Sequence, residues 1–169
     1  MKNSERSKAG KWAYLVVGVA LVAALTAGVL LTVVKASDTA GDAEFLALID
    51  RYAAAWSSMG SDQPAPLYAK DAGLVFYDLA PFAYAGWSEY REGVQKNFFD
   101  KMSSGKLTHK GDLRVTRRGN VAWTTVSLHL SLTFKDGKTE EFDARHTAIW
   151  EKRSGKWLIV HEHVSVPMP

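Results

Sequence analysis

The chain contains no cysteine among its 169 residues. Disulfide bonds therefore cannot stabilise it, and a thiolate nucleophile is excluded. The sequence also lacks a serine-nucleophile motif, a phosphate-binding glycine loop and a dinucleotide fingerprint. A folded domain in this chain must consequently depend on its hydrophobic core.

Charged residues are also absent between Lys11 and Lys35. Residues 12–34 read WAYLVVGVALVAALTAGVLLTVV. A helix needs about 20 apolar residues to cross a bilayer, whereas the apolar region of a cleavable signal peptide has about 7–15. The length favours a transmembrane anchor at 12–34. The alternative is a long signal peptide that is cut after Ala36.

Charge bias predicts the orientation of this segment. Residues 1–11 contain four basic side chains and one acidic one, so we expect a cytoplasmic tail. Residues 35–41 would form a linker, and 42–169 a domain on the periplasmic or extracellular side. The protein would be a single-pass cell-membrane protein, or a secreted one if the signal is cleaved.

The formal net charge of +3 arises from the N-terminal segment, because residues 42–169 contain equal numbers of basic and acidic residues. Only Arg114, Arg117 and Arg118 approach a basic cluster. Nucleic-acid binding usually needs a clustered basic face, so no nucleic-acid partner is expected. The length of 42–169 suits one domain.

Residues 42–169 show helical patterns first and strand patterns afterwards. Apolar residues recur at helical spacing from the candidate N-cap Asp42 to near Met59-Gly60, and again over 88–102. A brief strand is expected over 74–78. From Leu107 the period changes to two, and Gly119-Asn120, Asp136-Gly137 and Ser154-Gly155 separate four strands. This predicts an α+β domain with a curved antiparallel sheet of four to five strands and two to three helices on one face.

Three stretches resemble a known family: YAKDAGLVFYD, the Gly86-Trp87 helix start, and the ending RHTAIWEKRSGKWLIVHEHVSVP. Together they resemble the SnoaL-like branch of the nuclear transport factor 2-like superfamily over 42–167. The ending is also similar to the association domain of calcium/calmodulin-dependent kinase II. The resemblance implies a cone-shaped half-barrel with a pocket on the concave face of the sheet, dimeric through the convex face.

Two-residue hairpin loops would determine which residues share a face of the sheet. With such loops at Asp136-Gly137 and Ser154-Gly155, Arg145, Thr147 and Glu162 fall among the apolar residues of the concave face. Trp123, Trp150 and Trp157 then lie on the convex face. This register predicts a homodimer through these three tryptophans.

The concave face supplies the candidate site. By resemblance to ketosteroid isomerases, Asp78 would be a general base. Its electrophilic partner in catalysis would be Arg145 or a tyrosine. A ligand would contact a further set of side chains: Tyr52, Trp56, Tyr68, Phe76, Thr147 and Glu162. The structural alternative is a buried Arg145–Glu162 ion pair, with Asp78 capping the turn before Pro81.

The same register brings His146, His161 and His163 close enough to suggest zinc. We favour hydrogen-bonded interface histidines instead, because no carboxylate is placed to orient zinc ligands. No metal and no cofactor are predicted.

These patterns lead to one functional hypothesis and two alternatives. The first is a membrane-tethered domain that binds a small, largely apolar ligand between helices and sheet. The second is an isomerase, dehydratase or cyclase that uses Asp78 as base. The third is a dimerising assembly module of a membrane complex.

Overall fold

The computed structural model of the chain describes residues 41–168. The predicted tail, anchor and most of the linker lie outside the described residues. Within 41–168, no helix is both long enough and apolar enough to cross a membrane.

Two α-helices precede most of the sheet. Helix α1 occupies 41–57, and α2 spans Gly86–Asn97. Single 3₁₀ turns lie at Ala65–Leu67 and Phe99–Lys101. The strands are β1 (Val75–Tyr77), β2 (Tyr84–Ala85), β3 (Met102–His109), β4 (Arg114–Arg118), β5 (Val121–Phe134), β6 (Thr139–Arg153) and β7 (Lys156–Ser165).

The strands form one curved, open sheet in the order β2-β1-β7-β6-β5-β3, with β4 also paired to β5. All pairings are antiparallel except β1 with β7. The α+β prediction is confirmed, but the sheet has seven strands rather than four or five. Two strands are additional: β2, and one that arises because the first predicted strand of the meander is divided into β3 and β4, which pair with opposite ends of the long β5.

The transition from β3 to β4 occurs opposite Ser127 of β5. Lys110 N donates to Ser127 O at 2.9 Å, while the Asp112 carboxylate accepts from Ser127 N at 2.9 Å and from its hydroxyl at 2.6 Å. The Asp112 side chain thus satisfies a backbone donor that no strand covers. The Lys110-Gly111-Asp112 turn was missed in the sequence.

Helix α2 is shorter than predicted. It ends at Asn97, a 3₁₀ turn follows, and Met102 already begins β3. Met102 is buried although it is not helical, because the first residue of β3 also points towards the core. The apolar pattern in the sequence therefore appeared to continue the helix to Met102, because this strand residue is buried on the same side.

The loop between β5 and β6 has three residues, not two. Phe134 N donates to Lys138 O at 2.8 Å, and Gly137 N donates to Phe134 O at 2.9 Å. Gly137 has φ +87°, a conformation that favours glycine. Val126 therefore pairs with His146, whereas a two-residue loop would have paired it with Thr147. This one-residue difference turns every β6 side chain to the opposite face.

The β6–β7 hairpin has the predicted two-residue loop, since Arg153 pairs with Lys156. A bulge between Ile149 and Trp150 then shifts the register by one residue. Beyond the bulge, this shift cancels the one-residue shift that the three-residue β5–β6 loop introduced. Glu162 consequently faces the core, as predicted, although for a different reason.

The convex-face prediction is wrong for two of its three tryptophans. Trp150 and Trp157 are buried in the core, where both rings contact Phe45 of α1 at centroid distances of 5.8 and 5.0 Å. Trp123 does lie on the outer face and is 40% exposed. It pairs with Ile149, which is also exposed.

Candidate functional site

A cavity of about 80 Å³ lies between the two helices and the concave face of the sheet. Leucines of β3 and β5 form its floor. Its aromatic walls come from α1, α2 and the turn after α2: Tyr52, Trp56, Tyr90, Phe98 and Phe99. Asp78 contributes a carboxyl group to this otherwise mostly apolar lining.

The cavity adjoins a surface groove of about 520 Å³. Asp78, Leu79 and Val164 line both spaces, while Tyr77 and Phe82 line the groove but not the cavity. The segment that carries Asp78 therefore separates the interior cavity from solvent at this side.

Behind the cavity wall, Glu162 is fully buried and accepts several hydrogen bonds. Tyr68 Oη lies 2.9 and 2.8 Å from the two carboxylate oxygens and donates its single proton to this carboxylate, and Tyr90 Oη donates to Oε1. His146 Nε2 lies 3.2 Å from Oε2. His146 Nδ1 is buried without a hydrogen-bond partner, and we assign a proton to Nε2, which then donates to Glu162.

The tertiary fold brings these groups together from four segments. Tyr68 follows the first 3₁₀ turn and bridges to Ile159 of β7, with Trp56 Nε1 donating to its hydroxyl at 3.2 Å. Tyr90 lies on α2, His146 on β6 and Glu162 on β7. Glu162 thus links both layers of the domain.

Asp78 follows β1, whose parallel pairing places Phe76 beside Glu162. Leu79 N donates to Asp78 Oδ1 at 2.7 Å, and Tyr90 Oη lies 3.3 Å from Oδ2. Burial, together with the nearby negative charge of Glu162, raises the pKa of Asp78 to about 7. The carboxyl can therefore gain or lose a proton near neutral pH.

The tyrosines around Glu162 remain protonated at neutral pH. Burial raises the pKa values of Tyr52, Tyr68 and Tyr90 well above their usual range, and negative charge from Glu162 and Asp78 raises those of Tyr52 and Tyr90 further. Their hydroxyls act as hydrogen-bond donors and not as bases.

The structure places the predicted site residues in three locations. Tyr52, Trp56 and Asp78 line the cavity, whereas Tyr68 and Glu162 form the hydrogen-bonded layer behind it. Phe76 is buried and packs against Tyr68 and Tyr90 at centroid distances of 5.7 and 4.9 Å.

Arg145 and Thr147 were placed on the wrong face of the sheet. Arg145 is exposed and pairs with Ser127 and Ser165, while Thr147 pairs with Thr125 and His163. The suggested Arg145–Glu162 ion pair is therefore wrong, and His146 takes the predicted place of Arg145. The physical reason is the three-residue loop before β6.

The same error concealed His146, which the two-residue loop directed towards the convex face. His161 and His163 do lie there, so the three histidines do not converge. Within residues 41–168, no group of three potential ligands could hold a metal ion. Lys135-Asp136-Gly137, with glycine at the left-handed position, was the available signal for the longer loop.

Asp78→Asn should stabilise the domain at pH 8 by up to about 4 kcal/mol and have little effect at pH 4. The native carboxyl has a pKa of about 7, whereas an unfolded Asp has 3.8. The unfolded state therefore binds fewer protons between these values, so wild-type stability falls as pH rises from about 4 to 7 and then levels off. Urea denaturation at four pH values between 4 and 8.5 measures the difference. Equal stabilities at all four would contradict the burial of this carboxyl.

The family model for the SnoaL-like domain matches residues 46–169. The chain belongs to the SnoaL-like family. No curated protein matches the chain. The domain shares the fold of the nuclear transport factor 2-like superfamily, as the resemblance predicted.

Solved structures agree with the family assignment. A nuclear transport factor 2-like superfamily protein from Salmonella enterica superposes with a TM-score of 0.68 at 22% identity, covering 78% of this chain and 94% of that one. A Xanthomonas campestris protein assigned as a calcium/calmodulin-dependent protein kinase II association domain has a TM-score of 0.63 at 29% identity, covering 75% and 86%. A Streptomyces avermitilis protein assigned as a dehydratase superposes with a TM-score of 0.66 at 14% identity, covering 76% of this chain and 99% of that one.

Proposed function

We propose that this SnoaL-like domain binds a small, largely apolar molecule in the cavity between its helices and sheet. The observation that carries the proposal is an apolar, aromatic-lined cavity with the Asp78 carboxyl on its wall. Ligand sites in proteins are commonly apolar with few polar groups that orient the ligand. An assembly module with a collapsed interior would not need this space.

The size of the cavity limits the ligand. About 80 Å³ is roughly half the volume of an engineered apolar cavity that accepts benzene. The cavity therefore holds a group no larger than benzene, and a larger ligand could extend past Leu79 into the adjoining groove.

Ligand-observed NMR with cyclopentane as probe tests the proposal. Wild type should bind cyclopentane, and Leu130→Phe, which fills the cavity, should weaken binding at least tenfold. Leu113→Phe is the matched control, because Leu113 is also half-buried but does not line the cavity. Absence of binding to wild type, or equal weakening by both substitutions, would contradict the proposal. Native mass spectrometry of protein from its own host would identify a co-purified ligand.

The second candidate function is an isomerase, dehydratase or cyclase with Asp78 as proton-transferring group. The observation in its favour is the pKa of about 7 for a carboxyl on the cavity wall. The Streptomyces neighbour supports the reaction class only through its fold. Arg145 has no part in this candidate, because it lies on the other face; Tyr52 and Tyr90 are the hydroxyl donors nearby. Incubation of a co-purified ligand in D₂O should give deuterium incorporation with wild type and none with Asp78→Asn.

We further propose that residues 12–34 tether the domain to the cell membrane, with 42–169 outside the cytoplasm. The uncharged run and the basic residues before it support this topology. An alkaline phosphatase fused after Pro169 should be active in cells, whereas a reporter that works only in the cytoplasm should not. The opposite pair of results would reverse the orientation.

A homodimer through the convex face is also proposed. Val121, Trp123 and Ile149 are large apolar residues exposed together on that face, and the Xanthomonas neighbour is an association domain by assignment. Ile149→Glu should give monomers in sedimentation equilibrium. A dimer unaffected by this charge would place the interface elsewhere.

A further inference from the structure

The carboxyl groups of Asp78 and Glu162 compete for one hydroxyl proton. Tyr90 Oη contacts Glu162 Oε1 and also lies 3.3 Å from Asp78 Oδ2. A phenol has a single proton and can donate it to only one of them. The 3.3 Å separation from Asp78 is long for an O–H···O bond, so the proton belongs to the contact with Glu162. Asp78 Oδ2 then faces an oxygen lone pair and needs either its own proton or another donor.

No cation of the protein supplies that donor. Among the residues that the structure describes, no Lys or Arg nitrogen lies within 4 Å of Asp78 or Glu162. The titratable groups around Asp78 come from seven elements: Tyr52 of α1, Tyr77 of β1, Tyr84 of β2, Tyr90 of α2, Lys106 of β3, His146 of β6, and Glu162 and His163 of β7. Lys106 is exposed and His146 bonds Glu162. Asp78 therefore has no Lys or Arg partner within bonding distance, although the ring of His146 and the exposed Lys106 lie nearby.

The remaining walls also favour positive charge. Tyr52, Trp56 and Tyr90 present aromatic rings to the cavity, as do Phe98 and Phe99 beyond them. Aromatic faces attract cations, and the attraction is strongest where water is excluded. An ammonium group in this cavity would meet a carboxylate and aromatic rings at once.

We propose that the cavity ligand is a small apolar amine, bound as its ammonium ion with a nitrogen proton donated to Asp78 Oδ2. This inference rests on the proposed binding function. The neutral Asp78 carboxyl releases its proton to solvent as the alkylammonium ion binds, so an O–H bond breaks and a charge-assisted hydrogen bond forms. The aliphatic part of the amine would occupy the leucine-lined floor.

Matched probes separate this inference from the proposed function. Cyclopentylamine, cyclopentanol and cyclopentane have similar shapes and differ in charge and polarity. NMR titrations of the full-length protein at pH 8 should give at least tenfold tighter binding for the amine than for the alcohol. Amine affinity should fall about tenfold for each pH unit below 7, because proton uptake by Asp78 competes, while cyclopentane affinity stays constant.

Variants locate the effect. Asp78→Asn should remove both the preference for the amine over the alcohol and its pH dependence. The matched control, Asp50→Asn, changes an exposed carboxylate of α1 and should leave all three affinities unchanged. If cyclopentane binds but the amine has no advantage, or keeps it in Asp78→Asn, the amine inference fails and the cavity proposal stands. If none of the three probes binds, both fail.

Discussion

Trp150→Ala should lower the free energy of unfolding by about 3–5 kcal/mol, as truncation of a buried tryptophan usually does. Trp150 is fully buried, its ring packs edge-on against Phe45, and its Nε1 donates to Thr124 Oγ1 at 2.9 Å. The substitution therefore leaves a cavity and an unpaired buried hydroxyl. Urea denaturation measures the loss.

Trp123→Ala is the matched control for that experiment. Trp123 lies on the neighbouring strand but on the outer face, 40% exposed. Its removal should cost less than about 1 kcal/mol of domain stability. A large loss for Trp123 and a small one for Trp150 would show that the register of β6 is wrong by one residue.

Glu162→Ala should also cost about 3–5 kcal/mol, because it leaves buried hydrogen-bond donors unsatisfied, each at roughly 1–3 kcal/mol. Tyr68 and His146 would lose their acceptor in a region closed to water, and Tyr90 would keep only its longer contact with Asp78. Thermal and urea unfolding at pH 7 measure the effect.

Two further variants interpret the Glu162 result. Glu162→Gln should cost less, because its side-chain carbonyl can still accept from a tyrosine. Glu92→Ala, which removes an exposed carboxylate of α2, should cost less than about 1 kcal/mol. A loss below about 1 kcal/mol for Glu162→Ala would mean that the hydrogen-bonded layer contributes no net stability.

Local patterns predicted the order of elements well. The helical spacing of Phe45, Ile49 and Tyr52 depends only on which side of α1 meets the core, and all three are buried. The dipeptides Gly119-Asn120 and Ser154-Gly155 do form two-residue loops. Signals of this kind lie within a few residues of the structure that they specify.

The strand count was less predictable, because short edge strands have little pattern of their own. The two-residue strand β2 exists only through its pairing with β1, and β1 in turn pairs with β7, far along the chain. The boundary between β3 and β4 depends on the contacts of Asp112 with Ser127. Neither arrangement has a period that the sequence could display.

The sequence by itself determined the α+β class, the absence of disulfides, the family and the aromatic residues from which the cavity is built. Only the tertiary structure decided which polar residues join them. His146 faces Glu162, and Arg145 faces away, because the loop at Gly137 has three residues and β7 bulges near Trp150. Side chains alternate with a period of two, so one added residue exchanges the faces of a whole strand. That single-residue geometry places His146, rather than an arginine, beside the buried carboxylate.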